Sequence, residues 1–452
     1  MLNTIEKRLP WILCAGLASG ICASFRVEGW FICAIFLILF STFRGRMILL
    51  GATLAGFALG LISATKPIDS KLKLNEVVTI ASVPRIQKDG FTADVRTSAG
   101  LIRMSWPAPE LTLGDRAEVV GTVKGLGPDR PPWSPHVGRL HPDRLIPLRE
   151  GNFLFRWGIE WRRSFVNLMN RSMPAESAQT VQALCFNVDD PLDDEFLDKL
   201  QRTGTIHLIS ASGLHVLLFA LALQALAKLL PIPRSVQIGL VLAILVLYSV
   251  GAGLRPPIVR SVIMSGLALS AYQFKREADW FHALGVSVLV QLLWKPLSLF
   301  EIGFQLSVVT VAALTLYAQG IDREKWKSYW GPIKAGFTTS IVAWLASLPL
   351  VAYYFGNISL IAPIANAIVG VLVGPILVLS LSMTALSGLL PGVSGWVLGA
   401  CASPMAQALR GWIIALGTPE YVSLPIPAFH PWILALVYGG ALIAWRPNAK
   451  VG

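Results

Sequence analysis

The feature that most constrains this chain is a series of long apolar segments that fills most of the sequence after residue 205. Short charged or Gly/Pro-containing loops separate them, at about 206–227, 236–251, 257–274, 280–294, 300–318, 333–355, 359–386, 389–416 and 430–445. Only 14% of the 452 residues are charged, whereas soluble domains carry about 25%. A water-soluble core cannot enclose so much apolar surface, so the sequence predicts a polytopic α-helical membrane protein.

Three more apolar segments come first, at about 9–24, 29–43 and 47–64. The apolar sequence continues beyond the first of them, so we predict that this segment is a retained span and not a cleaved signal peptide. We assign residues 1–65 to N-terminal transmembrane helices. The whole chain then has about 10–12 predicted spans, because each needs roughly 20 residues.

Residues 66–150 differ in character, since they are charged and rich in Pro and Gly. Alternating strand-like pieces recur within them, at 76–80, 91–95, 101–104 and 116–120. This pattern predicts a soluble domain of short strands, a small β-barrel or sandwich, inserted between membrane segments.

Residues 151–175 form a predicted amphipathic helix. Aromatic residues recur every fourth position, at Phe153, Trp157, Trp161 and Phe165, and arginines lie off that stripe. Aromatic anchors with arginines favour a helix lying in the membrane interface, and the alternative is a helix packed on the soluble domain.

The net charge of +12 has two interpretations. In the first, an excess of Lys and Arg in cytoplasmic loops accounts for much of the charge. In the second, which is more specific, the charge serves to bind an anionic partner such as nucleic acid. A cytoplasmic N-terminus with the soluble domain outside places most basic loops inside, including Arg44, Arg46, Lys228, Arg234, Lys275, Arg276 and the 323–334 loop.

The segment HLISASGLHV, residues 207–216, opens an apolar run with unusually polar side chains: His207, Ser210, Ser212 and His215, together with Gly213. Two histidines eight residues apart on a helix are separated by roughly 12 Å of rise, too far to share one metal ion. A Ser–His pair would suggest an intramembrane enzyme, but GxSxG is absent. Hydrogen bonds to neighbouring helices, or the lining of a water-filled path, are the other interpretations.

Two further groups of polar residues enter predicted spans. Arg255 and Arg260 follow a Gly/Pro turn, and Glu301 and Gln305 lie four residues apart on one helical face. A buried arginine needs an anionic or carbonyl partner, and Glu301 is a natural partner for Arg260. The sequence contains no GxxxxGK[ST] phosphate loop, so ATP hydrolysis by this chain is not indicated.

These motifs together resemble the ComEC family of competence proteins. The stretch GTIHLISASGLH at 204–215 is similar to the family's Gly followed by HLLAISGLH, with Ser210-Ala211 in place of Ala-Ile. GLRPPIVRSVIM at 253–264 aligns Arg260 with the family arginine, and GFQL at 303–306 fits the next block. The resemblance is strong over roughly 180–390, within a competence transmembrane domain assigned to 176–452.

The resemblance implies a bacterial inner-membrane channel that carries single-stranded DNA into the cytoplasm during natural transformation, and an OB-like barrel for the soluble domain. Candidates for lining the path or contacting DNA are His207, Ser210, Ser212, Gly213, His215, Arg255, Arg260, Glu301 and Gln305. Candidates in the soluble domain are Arg96, Arg103 and Trp106. No catalytic residue, metal or cofactor is predicted, and the oligomeric state stays open.

The partners implied are the lipid bilayer, the single strand, a periplasmic DNA receptor and a cytosolic ATPase. Many family members continue into a metallo-β-lactamase-like nuclease domain that this sequence lacks, so a separate nuclease is expected. The alternatives are an intramembrane serine/histidine enzyme and a membrane scaffold for other uptake proteins.

Overall fold

The computed structural model describes most of the chain, namely residues 2–24, 52–60, 72–82, 84–87, 90–107, 111–125, 134, 136–149, 151–186, 188, 192–209, 213–319 and 331–444. The predicted segment 29–43 therefore lies outside the described residues. Within the described part, a β-barrel precedes a helical bundle.

The barrel is built from six strands: β1 (Leu72–Ile80), β2 (Arg85–Gln87), β3 (Gly90–Thr97), β4 (Gly100–Trp106), β5 (Arg116–Gly125) and β6 (His136–Arg149). They are hydrogen-bonded in the order β1-β5-β6-β4-β3-β2, and an extra β1–β3 pairing closes five of them into a barrel. Only β4 and β6 pair in parallel, and the other pairs are antiparallel. The predicted small barrel is confirmed.

Alternation along the strands fills the barrel core. In β5, Ala117, Val119, Gly121 and Val123 are buried, while the alternate residues between them are partly exposed. Each strand-like piece predicted from the sequence lies inside β1, β3, β4 or β5. β6 was not predicted, because Pro142 and Pro147 cannot donate to a ladder and normally argue against a strand.

The helices, in chain order, are α1 (Leu2–Ser24), α2 (Phe153–Ser172), α3 (Ala175–Phe186), α4 (Asp194–Arg202), α5 (Ile206–Ile209), α6 (Gly213–Ala227), α7 (Arg234–Gly251), α8 (Pro256–Gln273), α9 (Trp280–Trp294), α10 (Ile302–Gln319), α11 (Gly331–Phe355), α12 (Ala362–Leu386), α13 (Pro391–Val397), α14 (Ser403–Gly417) and α15 (Trp432–Ala444). Residues 52–60 are also helical. Short 3₁₀ helices span Pro296–Phe300 and Glu420–Val422. Strands β7 (Asn357–Ser359) and β8 (Ser423–Pro425) pair antiparallel.

Four described helices are long and apolar enough to cross a membrane: Arg234–Gly251, Ile302–Gln319, Lys334–Phe355 and Ala362–Leu386. Gly213–Ala227 and Trp280–Trp294 are apolar but shorter. These helices are those of a membrane protein. The predicted count of 10–12 spans stays a prediction.

Two of the last apolar segments differ in how regular their helices are. In the segment 389–416, a π-helical turn at Leu398–Ala402 lies between α13 and α14. In contrast, α12 continues through Pro375 without a break. Neighbouring groups in a bundle can satisfy the backbone that a proline frees.

Helix α2 packs on α7 through two glycines. A Cβ added at Gly158 would lie 2.6 Å from Val250 Cγ1 and 3.1 Å from the backbone nitrogen of Gly251, so the two helices meet almost backbone to backbone. Because of this contact, the four residues of the predicted aromatic stripe lie in two different environments. Trp161 and Phe165 pack into the bundle core against Phe186, while Phe153 and Trp157 remain exposed.

Candidate functional site

Residues 204–215, which we call the signature segment, run from the turn before α5 to the first turn of α6. The ring Nδ1 of exposed His207 donates to the carbonyl of Gly204 at 3.0 Å. His215 is fully buried on α6. Ser210 and Ser212 lie outside the described residues, so their predicted roles stay predictions.

Two glycines of the signature segment lie close to other helices. Gly204 has a φ of +69°, and a Cβ there would lie 2.8 Å from the Cβ of Ala362 at the start of α12. A Cβ at Gly213 would lie 2.5 Å from Ser261 Oγ on α8. Position 204 therefore needs a residue without a side chain, because of its positive φ and its contact with α12. Gly213 lies close against the Ser261 hydroxyl on α8, with no room for a bulky side chain unless Ser261 moves. The contact of Gly213 with Ser261 is visible only in the structure.

The Gly213 contact places this residue beside the start of α8, the helix that Arg255 precedes and to which Arg260 belongs. Arg255 is half-buried and precedes α8, and its carbonyl accepts from the backbone nitrogen of Ile258 at 3.0 Å. Arg260 follows one turn later and is 1% exposed. Its guanidinium carbon lies 5.7 Å from the ring centroid of Phe304. The guanidinium has no hydrogen-bond partner among the described residues.

The predicted pair between Glu301 and Arg260 does not form. Lys295 Nζ donates to Glu301 Oε1 at 2.6 Å, because both flank the short 3₁₀ helix Pro296–Phe300. Gln305 donates to the carbonyl of Leu299 at 2.9 Å and accepts from Tyr354 at 2.8 Å. These two candidates are therefore engaged with neighbours other than Arg260.

In the barrel, the three candidate residues have different environments. Arg96 is exposed on β3. Arg103 on β4 is an ion-pair partner of Asp94, with 3.3 Å between its Nε and Asp94 Oδ1. Trp106 is 2% exposed and packs in the core against Phe91, so its ring is not available for stacking on a base.

Asp94 also accepts from His136 Nε2 at 2.8 Å, so its carboxylate joins β3, β4 and β6. Burial of Asp94 opposes ionisation, but the hydrogen bonds and charges of His136 and Arg103 outweigh it and hold the pKa of Asp94 below its ordinary value.

A row of basic residues crosses the outer face of the barrel. Arg103 on β4 is in register with Arg139 on β6, which is in register with Lys124 on β5. Arg139 and Lys124 are exposed, and Arg103 is partly so. Sequence analysis missed Arg139 and Lys124, because the row exists only once β6 is placed between β4 and β5. The described residues contain no group of three or more metal-ligating side chains.

A helical bundle with an inserted small barrel is the architecture that the resemblance led us to expect of a competence protein. The family model described as "Competence protein" matches residues 184–450, and the chain belongs to this family. The resemblance drawn from the motifs is thus confirmed.

Two curated relatives support the same family. ComE operon protein 3 of Bacillus subtilis (strain 168) is 32% identical over 203 residues, which are 44% of this chain and 25% of that protein. Competence protein ComA of Neisseria gonorrhoeae is 28% identical over 359 residues, 70% of this chain and 49% of that protein. The chain thus spans between a quarter and about half of the relatives it matches. No solved structure matches it.

Proposed function

We propose that this protein is a channel that passes single-stranded DNA across the bacterial inner membrane into the cytoplasm during natural transformation. Membership of the competence family gives the DNA-uptake context. The observation that carries the proposal is the contact of Gly213 with Ser261, which sets the signature segment against the start of α8, the helix of Arg260. A strand with one phosphate charge per nucleotide cannot cross hydrocarbon, and needs a path lined by polar and cationic groups.

The barrel supports a receiving role within this proposal. We regard it as OB-like, and proteins of that kind bind single strands through a basic groove and stacking aromatics. The row formed by Arg103, Arg139 and Lys124, with Arg96 nearby on β3, offers cations for the phosphates. A periplasmic receptor would deliver the strand, a cytosolic ATPase would pull it, and a separate nuclease would degrade the other strand. No residue of the chain is assigned a catalytic role.

A bulky side chain at Gly213 tests the proposal. In a deletion strain complemented with Gly213→Leu, we expect labelled DNA to accumulate outside the inner membrane and transformation to fall to the level of the deletion strain. The matched control is Gly239→Leu on α7, where an added Cβ has nothing within 4 Å. Both variants must reach the membrane in wild-type amounts, which an immunoblot of membrane fractions checks.

The two rival functions predict other outcomes. A scaffold predicts normal transformation in a Gly213→Leu strain whose protein is correctly inserted, and that result would contradict the channel. An intramembrane enzyme predicts labelling by a serine-directed probe that Ser212→Ala abolishes, with DNA uptake impaired only through the loss of that activity.

A further inference from the structure

Arg260 is a buried cation whose charge is not balanced by the part of the chain that the structure describes. The side chain is 1% exposed, and none of its three nitrogens has a hydrogen-bond partner there. Its guanidinium carbon lies 5.7 Å from the centroid of the Phe304 ring, which is the geometry of a cation–π interaction. Such a contact offsets only part of the cost of removing an unpaired ion from water.

Among the described helices, the four that pack most on α8 carry no acidic residue. The main contacts of α8 are with α6, α7, α9 and α10, and none of these four helices contains Asp or Glu. The acidic residue just before α10 is Glu301, which is engaged by Lys295. A carboxylate on these neighbouring helices therefore cannot be the partner of Arg260.

The position of Arg260 within α8 increases the need for an anion. Arg260 lies in the second turn of α8, close to the end of the helix at which the dipole is positive, and Cα–Cβ bonds on a helix tilt toward that end. Acidic residues are absent from the first turn. Pro256 and Pro257 begin the helix and have no backbone N–H, so an anion at this end would depend on the guanidinium.

A second buried polar group lies at the same end of α8. Gln291 on α9 donates through Nε2 to the carbonyl of Pro256 at 3.2 Å, and its Oε1 is buried without a partner among the described residues. This oxygen is an acceptor, so it calls for a donor such as water. A hydrated end of α8 suits an oxyanion bound to the guanidinium better than a dry apolar contact would.

We infer that the Arg260 guanidinium binds an oxyanion of the phosphate class, which in the working protein is a phosphodiester of the passing strand. The planar fork of an arginine suits two phosphate oxygens at once. This inference rests on the proposed function and adds to it the residue that contacts the backbone of the strand inside the bundle.

The test compares purified wild-type protein with Arg260→Met, an apolar side chain of similar length, in a zwitterionic detergent. We expect inorganic phosphate and a short oligodeoxynucleotide to raise the melting temperature of the wild type above its value in chloride of equal ionic strength. Arg260→Met should melt no lower than the wild type in chloride, because it removes an unbalanced ion, and it should lose the response to both anions.

Control ligands and a second variant identify the source of the oxyanion. A neutral methylphosphonate oligonucleotide should give no shift, and Arg260→Lys should keep a weaker one because it retains the charge without the fork. A shift with phosphatidylglycerol vesicles but none with the oligodeoxynucleotide would overturn the assignment to the strand. A lower melting temperature of Arg260→Met in chloride would overturn the inference outright, since it would reveal a structural partner.

Uptake assays separate this inference from the proposed function. If Arg260→Met transforms normally and keeps its phosphate response while Gly213→Leu blocks uptake, the inference fails and the channel stands. If Arg260→Met loses the phosphate response but Gly213→Leu transforms normally, the anion site stands and the channel fails.

Discussion

At the scale of single residues, Asp94 shows how one carboxylate stabilises the barrel. It accepts from Arg103 and His136, and so links β3 to β4 and β6. We expect Asp94→Asn to lower the free energy of opening of these strands by about 1.5–3 kcal/mol, the usual range for hydrogen bonds to a charged group. Hydrogen exchange of the full chain, read on peptides from β3 and β4, measures this change.

The pH dependence of that effect has a defined sign. The folded pKa of Asp94 is lowered, so its contribution to stability is complete above the unfolded pKa of about 3.9 and is lost as pH falls through the lower folded value. The gap in strand stability between the wild type and Asp94→Asn should therefore be constant near neutral pH and close in acid. Asp143→Asn, exposed on β6, is the control, and equal protection in all three proteins would refute the expectation.

At the scale of secondary-structure elements, the crossing of α2 and α7 depends on glycine. We expect Gly158→Ala to destabilise the bundle by about 1–3 kcal/mol, the typical cost of overpacking, because the new Cβ would lie 2.6 Å from Val250 Cγ1. The melting temperature of the purified protein in detergent measures it. Gly239→Ala adds the same methyl group to α7 in open space, and should be neutral or slightly stabilising. Equal melting temperatures for the two variants would contradict this expectation, because they would show that α2 and α7 can move apart without a loss of stability.

Most elements were predictable from the sequence because periodicity and length define them locally. The apolar runs after 235 and the four predicted strands depend on neighbouring residues alone. β6 was missed because its prolines mask the alternation of HVGRLHPDRLIPLR. The Gly213–Ser261 contact and the row of Arg103, Arg139 and Lys124 join residues far apart in the chain, so no local pattern encodes them.

At the scale of the whole molecule, the number of membrane crossings between the barrel and the basic loop at 274–279 decides whether these two parts lie on the same side of the membrane. If α6, α7 and α8 each cross once, three crossings place the barrel and this loop on opposite sides. Lys275 and Arg276 favour a cytoplasmic position for the loop, which puts the barrel outside, where an incoming strand would meet the basic row of Arg139 and Lys124.

Cysteine labelling of intact spheroplasts tests this orientation. A membrane-impermeant maleimide should label Lys124→Cys, which is exposed on the barrel, and should reach Glu277→Cys in the loop only after lysis. The unsubstituted chain gives the background from its native cysteines. Labelling of Glu277→Cys alone before lysis would place the barrel in the cytoplasm, and a barrel on that side could not be the first to receive DNA that arrives from outside. The basic row would then face the strand only after it had crossed, and would have to act in pulling or release.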